Sequence, residues 1–278
     1  MFRLVKVWLL LQMVPGVVSG QGALLLRRRL DLNATVHTAF QTVTRVTSSS
    51  GRYTESADLG AMRWIETTDG GGNEVLHLTY DSVRVRTRDH GGSWRGLAIT
   101  DVDTAWVQIH MDDRMRVKRV LVGGELAGVT KLLPVLTGLP HLVLPERELA
   151  VGDRWLSETE IAVTGPGIEG ATGRPGILGR AELKLDSIVA RSSDTLGFIT
   201  VVGHVGPTTL VSVGRAGAKV VASGAVRGGL VWSTGWGLFV SGAIQTRLEM
   251  TRGTKGASGD GDGDSLVMEK TTRYQVRP

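Results

Sequence analysis

Leu238-Phe-Val-Ser-Gly-Ala-Ile-Gln-Thr-Arg-Leu-Glu-Met250 decides the fold class. Leu238, Val240, Gly242, Ile244, Thr246, Leu248 and Met250 fall on one parity, and Ser241, Gln245, Arg247 and Glu249 on the other. A period of two is that of a strand with one face in a core and one in water. Thr234-Gly235 supplies a hairpin turn just before it.

The same period recurs outward along the chain. Ala34, Val36, Thr38, Phe40, Thr42, Thr44 and Val46 share a parity until Ser48-Ser-Ser-Gly51 ends the run. Met62 to Thr67 is a weaker strand, closed by the glycine loop Asp69–Asn73. Between Val75 and Arg86 the phase flips at Asp81-Ser82. Leu76, Leu78 and Tyr80 precede the flip and Val83 and Val85 follow it, which predicts a β-bulge. Ala105–Ile109 and Met115–Val122 read as a hairpin turning at Asp112-Asp113. Later strands are expected at 181–190, 196–205, 208–213, 218–227, 229–233 and 266–276. One segment has helical spacing: Leu126, Val129, Leu132, Leu133 and Leu136, stopped by Pro134, Gly138 and Pro140. A Pro-bounded connector then leads into Val151-Gly-Asp-Arg-Trp155, where a tight turn starts another strand.

The fold expected is mainly β: an antiparallel curved sheet, or half-barrel, wrapped on one principal helix. A dozen strands cannot pair every edge unless the sheet curls. The halves, about 26–124 and 151–278, form a single β-rich domain joined by the helical and Pro-rich segment 125–150.

The N-terminus carries a different message. Arg3 and Lys6 precede the apolar run Val7–Leu11, Pro15-Gly16 breaks it, and Val18-Ser-Gly20 offers small residues before Gln21. This is the layout of a secretory signal peptide over residues 1–20, placing the mature chain in the periplasm or outside the cell. The alternative is an N-terminal membrane anchor over 7–26, with Arg27-Arg-Arg29 as its stop. Gln12, Pro15, Gly16 and Ser19 dilute such a span, and the cleaved leader is preferred. Leu26 to Leu32 then becomes the first mature strand.

The 278 residues are 41% hydrophobic, enough for a core. Without cysteine there is no disulfide, thiolate metal site, cysteine nucleophile or lipidated cysteine. An exported chain without disulfides points to bacteria. The formal charge of +5 falls to +3 without Arg3 and Lys6. With both signs interspersed, it is no nucleic-acid footprint.

Motifs for chemistry are weak. Gly165-Pro-Gly-Ile-Glu-Gly170 matches a dinucleotide fingerprint in letters, but Pro175 and Gly176 follow where a helix should run, so a Gly/Pro loop is expected. Asp260, Asp262 and Asp264 have calcium-loop spacing, yet Ser265 and Thr271 stand where the pattern wants glycine and glutamate. His110 with Asp112 and Asp113 reads as a surface turn, and no G-x-S-x-G elbow occurs. No catalytic, cofactor or metal residues are assigned. Trp155 and Trp232 read as core. Trp94, in His90-Gly-Gly-Ser-Trp94, is the one candidate ligand-binding aromatic.

Leu78-Thr-Tyr-Asp-Ser-Val83, the Asp112-Asp113 hairpin, the Leu/Pro segment, Val151-Gly-Asp-Arg-Trp155 and Trp232-Ser-Thr-Gly235 occur in an order that resembles a domain-of-unknown-function family of bacterial exported proteins marked by V-G-D-x-W. That family resembles in fold the half-barrel lipoprotein carriers of the LolA/LolB type. The resemblance implies an apolar groove for a lipid or lipoprotein acyl chain, and it brings no catalytic residues. The function expected is therefore a non-enzymatic extracytoplasmic binding protein. The alternative is a structural or partner-binding protein of the cell envelope. No nucleic-acid partner, cofactor or stable membrane span in the mature chain is expected.

Overall fold

Alternation in sequence becomes alternation in burial. In β1 (Thr35–Ser48) every even residue from Val36 to Val46 is buried, while the odd ones are exposed or half-buried. The computed structural model describes residues 22–28, 35–68, 74–99, 106–123, 142–162, 176–211, 219–253 and 265–277. Within them lie β2 (Tyr53–Thr68), β3 (Glu74–Asp89), β4 (Arg95–Ile99), β5 (Trp106–Met111), β6 (Val117–Gly123), β7 (Arg154–Ala162), β8 (Gly176–Ala190), β9 (Thr195–Val211), β10 (Lys219–Ser233), β11 (Leu238–Gly253) and β12 (Ser265–Arg277).

All twelve belong to one antiparallel sheet in the order β6-β5-β3-β2-β1-β12-β11-β10-β9-β8-β7. The long β3 has two partners in line, pairing β5 through residues 74–79 and β4 through 83–87. The first and last strands pair at the middle of the sheet, Phe40 opposite Tyr274 and Thr42 opposite Thr272. This seam unites the two halves of the sequence, and the open edges fall at β6 and β4 on one side and β7 on the other.

The bulge expected at Asp81-Ser82 is present. Ala61 pairs Ser82 and Met62 pairs Tyr80, which leaves Asp81 unopposed. Burial switches there from Leu76, Leu78 and Tyr80 to Val83. Several strands run further than the sequence reading placed them. Residues 208–213 belong to β9 as far as Val211, and 219–233 form the single strand β10, with a register shift between Ala222 and Gly224. β2 begins nine residues before Met62.

Residues 22–28 are a correction. Of the strand expected at Leu26–Leu32, residues 26–28 carry none and 29–32 lie outside the described residues; 22–28 run as an extended strap that makes one bridge, between Leu24 and Leu149. Leu24 N donates to Leu149 O at 2.7 Å, and Leu149 N returns a bond at 2.9 Å.

The strap shows that the sheet is strongly curled. At one end, Leu24 Cδ2 lies 2.5 Å from where a β-carbon on Gly197 of β9 would stand. At the other, Arg28 N donates to Asp113 O, in the β5–β6 turn, at 3.4 Å. Seven strand spacings separate β5 from β9 in the sheet order, about 33 Å if the sheet were flat. Four residues of extended chain span at most about 14 Å. Curling alone brings the two ends within reach of the strap.

Among the described residues, 22–28 and 142–150 lie against the inner face. Leu24, Leu26, Leu142, Leu144 and Leu149 are all buried in the main core, beside Trp64, Leu78, Leu183 and Trp232. Among the described residues there is no helix, hence none long and apolar enough to cross a membrane. The expected helix at 126–136, the leader at 1–20, the Gly165–Gly170 loop and Asp260, Asp262 and Asp264 lie outside the described residues. Of the alternative anchor at 7–26, only 22–26 are described.

Candidate functional site: the inner face of the curled sheet

The register arranges inward side chains in rows across β2, β1, β12 and β11. Nearest the strap come Met62, Thr38 and Val276. Next come Gly60, Phe40, Tyr274 and Gly242. The Phe40 ring takes the place of a side chain at Gly60, where a β-carbon would be 2.4 Å from its Cζ. Then the chemistry changes. One row is Asp58, Thr42, Thr272 and Ile244; the next is Ser56, Thr44, Lys270 and Thr246. Beyond them Val46, Met268, Leu248 and Met250 form a second apolar cluster with Val205, Ala222 and Val226. A polar band therefore lies between two apolar zones on one face.

The band is buried: Asp58 is 3% exposed, Thr42 0%, Thr44 4% and Lys270 9%. Thr42 and Thr272 share a hydrogen bond between hydroxyls at 3.2 Å. Burial pushes the Asp58 carboxyl up to about 6, and Lys270 opposes part of that shift. Burial likewise takes the Lys270 ammonium down to about 8, opposed by Asp58. Both groups lose hydration, and each supports the charge of the other.

Two further observations mark this face. Ser56, Val85, Ile244 and Thr272 point inward yet remain half-buried. The Tyr80 and Tyr274 hydroxyls and Trp232 Nε1 are buried with no hydrogen-bond partner among the described residues. Orphaned donors of this kind are uncommon in a finished core. Burial raises both tyrosine hydroxyls well above their usual range, so they remain protonated donors.

The connectors beside the strap are tightly bonded. Val143 N donates to Ser157 Oγ at 2.8 Å, and Trp155 Nε1 donates to Val143 O at 3.1 Å. Arg27 donates to Pro145 O at 2.6 Å and Glu146 O at 2.8 Å. The turn expected at Val151–Trp155 is present, with Gly152 at φ 95°. Its N–H donates to Leu185 O at 2.7 Å, docking the connector on β8. A shallow cleft of about 310 Å³ on the strap, lined by Leu25, Arg27, Glu148, Thr195 and Thr234, has mostly polar walls.

Trp94 is exposed at 40%, but it does not join the groove. The Arg88 guanidinium lies 4.6 Å from its ring centre. Arg88 is on the outer face, bonded to Glu55 at 2.7 Å. Trp232 is fully buried, edge-on to Phe239 at 5.0 Å, and Trp155 is half-buried against the core. Asp112 accepts bonds from the backbone of Arg114 and Arg116, each at 3.0 Å, as a turn carboxylate does. Among the described residues no three His, Asp or Glu side chains gather as a metal site would require.

The sequence reading passed over Asp58 and Lys270. Lys270 stands on the apolar parity of Met268, Thr272, Tyr274 and Val276, and Asp58 on that of Met62 and Trp64. A charge on the inward parity was the available signal.

No protein-family model matches the chain, and no curated protein does. Among solved structures, one described as lipid–protein interactions in lipovitellin is similar, with a TM-score of 0.52 at 9% identity. The likeness covers 90% of this chain but 26% of that one, so this chain spans about a quarter of its length. It is a likeness of fold.

Proposed function

We propose that this is a non-enzymatic extracytoplasmic binding protein that holds an amphipathic ligand of the lipid class on the inner face of its sheet. One observation carries the reading: a polar band at Asp58, Lys270 and the threonines, set between two apolar zones, with half-buried inward positions before it. An apolar chain would lie against the tyrosine and methionine rows, and its polar group would meet the band. A ligand hydroxyl or carboxylate would also bond Tyr80, Tyr274 or Trp232, whose buried polar atoms have no partner among the described residues.

The neighbour in fold is described by its lipid–protein interactions, which agrees in ligand class. Membership of the V-G-D-x-W family of bacterial exported proteins, kinship with LolA/LolB-type carriers, and export through the leader at 1–20 belong to the same proposal.

Thr272→Trp tests it. The new ring would project onto the inner face from the half-buried position of Thr272. If the inner face takes ligand, binding of a fluorescent fatty acid drops at least tenfold in a variant that stays folded and loses only the Thr42–Thr272 hydroxyl bond, about 1 kcal/mol. If that face is closed core, the ring overpacks it and destabilises by about 1–3 kcal/mol, with no binding to lose. That second result rejects the proposal.

A further inference from the structure

The far ends of β1 to β4, away from the strap, carry an arginine surplus that the groove does not use. Arg45, Arg84 and Arg86 are exposed on the outer face, and Arg52 and Arg95 are exposed at the strand tips. With Arg88 they make six arginines against Glu55 and Asp89. The surplus of four approaches the +5 of the whole chain. Glu55 is already bonded to Arg88, and Glu269, across from Arg45, is held by Arg247 at 3.2 Å.

Aromatic rings are interleaved with these cations. Arg45 lies 3.9 Å over Tyr53, His90 packs edge-on to Tyr53 at 4.8 Å, and Arg88 covers Trp94. Leu59, 39% exposed, sits opposite Arg84 on the same face. Guanidinium groups spread around an exposed indole and a leucine suit a surface that is anionic at its headgroups and apolar beneath. A soluble polyanion would satisfy the arginines but leave Trp94 and Leu59 in water.

We propose that this rim docks on an anionic lipid bilayer through Arg84, Arg86, Arg45 and Trp94. Docking stands on the patch alone. That the docked protein exchanges ligand with the bilayer rests on the groove reading.

The test is flotation of the full chain with phosphatidylglycerol/phosphatidylcholine vesicles and with phosphatidylcholine vesicles. Any contribution of residues 1–21 is common to every variant. Binding is expected to the anionic vesicles only, and to fall as salt rises from about 0.1 M to about 1 M. Arg84→Ala with Arg86→Ala should weaken it by about 25-fold, taking roughly fivefold for each cation at the surface. Trp94→Ala should abolish a blue shift in tryptophan emission on binding. Equal binding to both vesicle types, no binding, or binding unchanged in the arginine variant overturns the proposal, as does heparin binding without vesicle binding. Fatty-acid uptake measured in parallel separates the two readings: vesicle binding without uptake rejects the groove alone, and uptake without vesicle binding rejects the docking alone.

Discussion

Asp58 and Lys270 hold the highest stakes among single residues, because each is a charge that burial disfavours. Asp58 titrates near 6 when folded, against an ordinary 3.8, so the folded chain holds a proton there that the unfolded chain releases. Its contribution to stability therefore declines as pH rises from about 4 to about 6. Lys270 titrates near 8 against 10.5, so between those values the unfolded chain binds the extra proton and stability recovers as pH rises. Stability from this pair should be lowest between pH 6 and 8, by on the order of 2 kcal/mol. Urea unfolding across pH checks this, and a profile that peaks at pH 7 with both residues intact would contradict it. Lys270→Met alone should destabilise at pH 7 by about 3 kcal/mol, since it strands a buried carboxylate. Asp58→Asn with Lys270→Met should restore wild-type stability or exceed it. If the double variant also loses fatty-acid binding while staying folded, the pair is kept for the ligand. Trp232 makes the contrast: fully buried against Phe239, it should cost about 3–5 kcal/mol on truncation to Ala, read as a loss in the urea midpoint.

Among the elements, the strap decides how the sheet is held. It joins β9 to the β5–β6 turn through Leu24 and Arg28, and joins residues 142–150 through the Leu24–Leu149 bridge. Gly197→Val would drive a branched side chain into the place of Leu24. It should lower the melting temperature by several degrees and expose amides of 22–28 to hydrogen exchange first. Unchanged protection there would mean that the strap docks elsewhere. Periodicity made the strands legible, including the bulge at Asp81, because a half-buried strand writes its faces into alternate residues. The strap could not be read that way. Leu24 to Leu26 is a short apolar run before three arginines, as compatible with a strand or a span end as with a strap. Its role comes from Gly197 and Asp113, far off in the chain. The long strands β9 and β10 hide their length in sequence: Gly228-Gly229 is paired on both sides by β9 and β11, and Gly206-Pro207 falls at the register shift where β9 continues past Ala222 and Gly224.

For the whole molecule, the sheet order explains why a chain of two similar halves behaves as one sheet. β1 and β12 pair over twelve residues at its centre, so neither half presents an edge there. Curling then gives the sheet an inner face on which Ser56, Val85, Ile244 and Thr272 remain half-buried. The candidate site is a product of that closure: its rows draw on residues some 200 positions apart, such as Asp58 and Lys270, and no local motif could announce it. Trp94, which local sequence did announce, stands outside the groove. The central claim is that the inner face holds a lipid-class ligand. Native mass spectrometry of the purified protein, followed by organic extraction, tests it most directly. A stoichiometric mass increment that extracts as an amphipathic lipid is expected, and it should be absent from Thr272→Trp. Protein at its bare sequence mass that also takes up no fatty acid would contradict the claim.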